Sequence, residues 1–124
     1  MAKILIAEDE RDIRDLITFT LTFAGHEVIA TPNGEEAYLK SQEFTPDLIM
    51  MDVRLSGKDG LVLLKQLRSH PNLKVANTPV LMMSAGDHKL QSRSAGANGF
   101  IEKPFDWEVL RGAIERIMEG LSKD

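Results

Sequence analysis

With 124 residues, 43% of them hydrophobic and 27% charged, the chain can bury one sizeable core but not two, so a single globular domain spanning 1–124 is expected. A formal net charge of −4, with no dense run of Lys or Arg, argues against direct contact with nucleic acid. There is no cysteine, which removes disulfides, thiolate metal sites and cysteine nucleophiles, and the apolar run Ile4 to Ala7 is interrupted by Glu8 and Asp9 too soon for a signal peptide or membrane span, so a cytoplasmic location is expected.

Ile4 to Ala7 reads as a short strand, and Ile13, Leu16, Ile17, Thr20, Leu21 and Ala24 then recur at helical spacing. Asp9 is placed to cap that helix and Gly25 to end it. Glu27 to Ala30 is a second strand. A second helix begins near Gly34 and Glu35 with Ala37, Tyr38 and Ser41 facing inward, and Pro46 and Asp47 break it ahead of the apolar strand Leu48 to Met51. Asp59-Gly60 opens a third helix that carries Leu61, Leu64 and Leu67 on one face. The stretch Ser69 to Pro79 leads into the strand Val80 to Met83. A short fourth helix fits Asp87 to Ala95, with Gly96 as its stop, and Gly99 to Glu102 is the fifth strand. The fifth helix runs from about Trp107 to Leu121, with Trp107, Leu110, Ile114, Ile117, Met118 and Leu121 as its buried stripe.

Strict alternation of strand and helix, with strands that are unbroken apolar runs, is the pattern of a parallel sheet covered on both faces. The expected fold is therefore α/β, a doubly wound five-stranded parallel sheet of flavodoxin-like order 2-1-3-4-5 with helices on both faces. Met50, Met51, Met82 and Met83 fall in these buried strands and read as core filler. His26, His70 and His88 sit in turns or at helix starts and are expected to be solvated.

Parallel strands all end on one edge, and that edge holds the ligand crevice of open α/β sheets. Here the strand ends carry Glu8 and Asp9, Asp52, Ser84 and Lys103. Three carboxylates held close repel one another and raise the pKa of at least one unless a cation shares the site. Mg²⁺ suits such an all-oxygen set and keeps room for a phosphoryl oxygen. Asp52 can then act as a carboxylate nucleophile, with Lys103 stabilising charge on the transferring group and the Ser84 hydroxyl bonding one of its oxygens.

The segments Ile6-Ala7-Glu8-Asp9-Glu10, Asp47 to Asp52, Asp59-Gly60, Ser84-Ala85, Gly96-Ala97 and Phe100 to Phe105 occur in order from about Lys3 to Leu121. Together they resemble the receiver domains of two-component response regulators, of the chemotaxis-receiver type. That resemblance implies a phosphoacceptor at Asp52, a Mg²⁺ ion ligated by Asp9, Asp52 and the backbone carbonyl of Arg54, and Glu8 acting through water. It implies switch positions at Ser84 and Phe100, a small neighbour at Ala85, a cis Lys103-Pro104 bond, and tuning of phosphoryl hydrolysis at Arg54 and Gly86. The phosphodonor would be a sensor histidine kinase or a histidine phosphotransfer protein, and a downstream effector would read the fourth helix, fifth strand and fifth helix, around Glu108, Arg111 and Glu115. Such a module is not an enzyme beyond promoting its own phosphorylation and dephosphorylation.

Two departures stand out. Ser56 replaces a proline common in the family, so the loop after the third strand is expected to be looser, and the interval from Ser84 to Gly96 is short by nearly one helical turn of about 3.6 residues. Three rivals share parts of the pattern. A small aspartyl-phosphate phosphatase of the haloacid-dehalogenase type needs a second Asp where Arg54 stands. A flavodoxin-like cofactor binder is opposed by three acids at the switch point. A phosphorylation-incompetent pseudo-receiver would not need to keep all five polar groups.

Overall fold

The computed structural model describes residues 1–56 and 58–120, and the backbone of 121–123. In chain order the elements are β1 (Lys3–Ala7), α1 (Arg11–Phe23), β2 (Glu27–Thr31), α2 (Gly34–Phe44), β3 (Leu48–Asp52), β4 (Arg54–Leu55), β5 (Lys58–Asp59), α3 (Gly60–Arg68), α4 (Leu73–Ala76), β6 (Val80–Ser84), α5 (Lys89–Ser94), β7 (Gly99–Glu102) and α6 (Trp107–Lys123). Five strands pair in parallel in the order β2-β1-β3-β6-β7, which is the expected order 2-1-3-4-5 once the small β4–β5 hairpin is set apart. The fold is the flavodoxin-like one.

Strands β1, β3 and β6 lack polar alternation because both their faces are covered. On one side Ile4, Ile6, Leu48, Met50, Leu81 and Met83 pack against Ile17 and Leu21 of α1 and Leu110, Ile114 and Ile117 of α6. On the other side Leu5, Ala7, Ile49, Met51, Val80 and Met82 pack with Ala37 of α2, Leu63, Leu64 and Leu67 of α3 and Ala95 beyond α5. The four strand methionines are fully buried, as expected of core filler. Each large apolar side chain so buried contributes about 1.5–3 kcal/mol relative to exposure.

The structure differs from the expectations at several points. Asp9 does not cap α1: the cap position is Glu10, whose side chain makes no capping bond, and Asp9 is left exposed at the strand edge. Leu16 points outward at 66% exposure and Ala24 is exposed, so the inward stripe of α1 narrows to Ile13, Ile17 and Leu21. Gly25, at φ 99°, does end that helix. On either side of the loop carrying Ser56, Arg54 pairs with Asp59 and Leu55 with Lys58 in an antiparallel hairpin that buries Leu55. The stretch 69–79 contains the extra turn α4. The fourth expected helix is α5, shorter than expected at Lys89–Ser94, and Gly96 at φ 105° follows its end. In α6, the fifth expected helix, the side chain of Leu121 lies outside the described residues.

One side chain ties the irregular segments together. Arg68, at the end of α3, donates Nε to the Gly96 carbonyl (3.0 Å), Nη1 to the carbonyls of Ala76 (3.0 Å) and Thr78 (2.7 Å), and Nη2 to Asn98 Oδ1 (2.9 Å). Asn98 Oδ1 also accepts the Val80 amide at 2.9 Å. The guanidinium thus satisfies carbonyls that α4 and the turn after α5 leave without a ladder partner.

Candidate functional site

Register delivers the polar groups to one place. Ala7 pairs with Met51, Asp52 with Met83 and Ser84 with Glu102, so the residues at and just past these positions crowd one edge of the sheet. Glu8, Asp9 and Asp52 each offer a carboxylate oxygen, and these oxygens all lie within 4.8 Å of one another. Glu8 is fully buried and Asp52 is 6% exposed, whereas Asp9 faces solvent. The ammonium of Lys103 lies between the two buried acids, donating to Glu8 Oε1 at 2.5 Å and to Asp52 Oδ2. Backbone amides hold the other oxygens: Glu10 N donates to Glu8 Oε2 (3.1 Å) and Arg54 N to Asp52 Oδ1 (2.9 Å). Arg14 Nη1 adds a bond to the Glu8 carbonyl at 2.9 Å, so α1 braces the acidic turn.

Burial pushes the Glu8 carboxyl above the ordinary carboxylate range, and the charge of Asp52 adds to this, while Lys103 and the Glu10 amide pull it back. The expectation that one of the acids would be raised is met, but desolvation contributes more than repulsion. For Lys103, burial works to lower its pKa, and the bonds to Asp52 and Glu8 outweigh it, so the ammonium is held above its ordinary value and stays charged. The donor set is entirely oxygen and anionic. It fits a hard divalent cation, with Glu8, Asp9 and Asp52 able to hold it.

Close backbone approach at this edge explains Asp59-Gly60. A Cβ on Gly60 would lie 2.1 Å from the Asp52 carbonyl oxygen, and the Gly60 amide donates to the Val53 carbonyl at 2.7 Å. Only glycine lets α3 start against the end of β3. Asp59 caps that helix by accepting the Leu61 amide at 2.7 Å.

Ser84 is buried, and by strand alternation it stands on the same side of the sheet as Phe100, which packs against the core under α3 and α5. Phe100 pairs with Met82, two residues before Ser84. Ala85 is exposed and the Lys103-Pro104 peptide is cis. On α6, Glu108, Arg111 and Glu115 are exposed, and Arg111 Nη2 pairs with Glu108 Oε2 at 2.6 Å. The three histidines, expected to be solvated, are half-buried, and each has one ring nitrogen in a hydrogen bond. His26 Nδ1 accepts the Ala2 amide (3.0 Å), His70 Nδ1 accepts the Asn72 amide (2.9 Å), and His88 Nδ1 lies 2.7 Å from Ser84 Oγ. Neither Arg14 nor His88 was singled out by sequence reasoning, because both act through contacts that helical spacing does not encode.

A sequence model of the response regulator receiver domain matches residues 4–115. The chain belongs to that family. The transcriptional regulatory protein KdpE of Staphylococcus aureus is 34% identical over 125 residues, covering 98% of this chain and 52% of that protein. The alkaline phosphatase synthesis transcriptional regulatory protein PhoP of Bacillus subtilis is 34% identical, covering 94% of this chain and 48% of its own length. The receiver domain therefore spans about half the length of these relatives. Among solved structures, the chemotaxis response regulator CheY4 of Vibrio cholerae superposes with a TM-score of 0.87 at 32% identity, covering 94% of this chain and 98% of that one. The beryllofluoride-activated receiver domain of Klebsiella pneumoniae RstA gives a TM-score of 0.83 at 27% identity, covering 92% and 96%. Among the described residues, no helix is long and apolar enough to cross a membrane.

Proposed function

We propose that this receiver takes a phosphoryl group onto Asp52 from a phosphohistidine of a sensor histidine kinase or histidine phosphotransfer protein, in the cytoplasm. The observation that carries the reading is the Lys103 ammonium bonded to both Asp52 and Glu8 beside an acidic triad. A carboxylate oxygen of Asp52 forms the new O–P bond, the donor's N–P bond breaks, and its imidazole leaves with the electron pair and takes up a proton. The product is an acyl phosphate. Lys103, already charged and placed at Asp52, stabilises the anionic oxygens of the transferring group. Asp9 and Asp52 directly, Glu8 through water and the Arg54 carbonyl would hold Mg²⁺, which supplies further charge neutralisation. Arg54 in place of a second Asp speaks against a phosphatase acting on separate substrates, so the chain promotes only its own phosphorylation and dephosphorylation.

Loading Asp52 then biases two neighbours. Ser84 turns its hydroxyl to a phosphoryl oxygen, and Phe100 rotates into the space released. A ligand shifts such an equilibrium only by its differential affinity for the two states. Because α5 has only six residues, the effector reads mainly β7 and the exposed side of α6 around Glu108, Arg111 and Glu115. The decisive experiment is incubation with acetyl phosphate and Mg²⁺ followed by intact mass. One phosphoryl group, labile to hydroxylamine and absent from Asp52→Asn, is expected. An unlabelled native protein would instead support the pseudo-receiver reading, and full labelling of Asp52→Asn would remove Asp52 as the acceptor.

A further inference from the structure

The Ser84 hydroxyl is already engaged in the unloaded protein. Its Oγ accepts the Gly86 amide at 3.0 Å and lies 2.7 Å from His88 Nδ1. Among the described residues Oγ has no other partner. A hydroxyl carries one proton and two lone pairs. With the Gly86 amide on one lone pair, the hydroxyl proton meets Nδ1 when the ring is the Nε2–H tautomer, the form the test below reads directly.

Two further features build this contact. Gly86 makes room for it: a Cβ there would stand 2.9 Å from His88 Cε1 and 3.2 Å from Nδ1. His88 also occupies the cap position of α5 without capping it, its ring turned back to Ser84 instead, while its carbonyl accepts the Ser92 amide at 2.9 Å. One residue therefore bonds the hydroxyl at the end of β6 and begins the helix beside it.

We infer that His88 is a positioning residue that holds the Ser84 hydroxyl in its resting orientation and links that hydroxyl to the amino end of α5. This rests on the reading of Asp52 as phosphoacceptor and of Ser84 as the hydroxyl that follows it. In the Nε2–H tautomer a phosphoryl oxygen on Asp52 can accept the Ser84 hydroxyl only if that hydroxyl turns from Nδ1, so loading the site breaks the Ser84–His88 bond and frees the start of α5. The bond favours the resting state. Removing it shifts the balance toward the loaded conformation without touching any group that contacts the phosphoryl.

The test titrates beryllofluoride with Mg²⁺ into the native protein and three variants, read by amide NMR. His88→Ala binds about two- to tenfold more tightly than the native protein, the range one neutral hydrogen bond supports. Gly86→Ala, which expels the ring while keeping both partners, moves the same way. His88→Asn, whose side-chain carbonyl can replace Nδ1 as acceptor, stays within about twofold of the native affinity by the same measure. In the unloaded native protein the ring nitrogens report the Nε2–H form, and beryllofluoride shifts both the ring and the α5 amides. Unchanged or weaker binding by His88→Ala, with the native protein binding normally, overturns the role of His88 alone. A native protein that binds no beryllofluoride overturns the phosphoacceptor reading, and this inference with it.

Discussion

Replacing Lys103 by Met keeps the length and apolar stem of the side chain and deletes the one charge that separates Glu8 from Asp52. In the native protein the ammonium contacts both acids, of which Glu8 is fully buried and Asp52 only 6% exposed. Removing one member of a buried ion pair costs about 3–5 kcal/mol when the partner stays charged. The carboxylates have an escape, because one proton taken up at Glu8 removes the repulsion. Keeping Glu8 protonated costs about 1.4 kcal/mol for each pH unit above its ordinary value. That ordinary value is 4.5. Protonation therefore limits the Glu8 share of the loss to about 3.4 kcal/mol at pH 7 and to below about 1 kcal/mol at pH 5, while the share from Asp52 is common to both.

The signs agree with the native shifts. Glu8 is raised, so its contribution to stability is complete below about 4.5 and is lost as pH rises through its folded value, and deleting Lys103 moves that value further up. Lys103 is also raised, so its own contribution is intact below 10.5 and does not vary between pH 5 and 7. Urea denaturation in EDTA at the two pH values measures the difference. The loss at pH 7 should exceed that at pH 5 by up to about 3 kcal/mol, or roughly 10 °C in melting temperature for a domain of this size. An equal loss at both pH values, or none at pH 7, would refute the reasoning.

Two other outcomes are expected. Mg²⁺ binds only the folded acidic cluster and should raise the melting temperature with occupancy, and Asp9→Ala should need roughly tenfold more Mg²⁺ for the same rise; a melting temperature indifferent to millimolar Mg²⁺ would count against the site. Arg68→Ala removes four charge-assisted hydrogen bonds but leaves room for water at a partly exposed position, so about 2–4 kcal/mol should be lost in chemical denaturation, and a loss under about 1 kcal/mol would show that the clasp is dispensable.

The segments read most reliably from sequence are those whose signal is local. Leu48–Asp52 and Val80–Ser84 announce buried parallel strands because every residue in them is apolar until the last. Gly25 and Gly96 announce helix ends because only glycine takes their positive φ without strain. The strand-end position of Glu8, Asp52, Ser84 and Lys103 follows from the same local runs once the sheet is parallel, which is why the candidate site could be named before its geometry was known.

Local pattern also misled where one residue type serves two purposes. Asp9 has the chemistry of a helix cap, yet the chain turns so that Glu10 takes that position and Asp9 joins the acidic cluster. Leu16 fits the helical stripe but falls just beyond the arc that α1 turns toward the sheet. The hairpin of Arg54–Leu55 with Lys58–Asp59 has too few residues to show a period.

What the sequence determined by itself was the alternation of elements, the depth of the central strands and the set of polar groups at their carboxyl ends, because each of these is encoded within a few consecutive residues. What only the tertiary structure decided was which of those groups touch. Lys103 reaches Asp52 across 51 positions and Glu8 across 95, Arg68 reaches Asn98 across 30, and His88 turns back to Ser84 through a bend with no regular period. Such pairings depend on the register of neighbouring strands and the seating of helices on them, and those arise from packing the whole core at once.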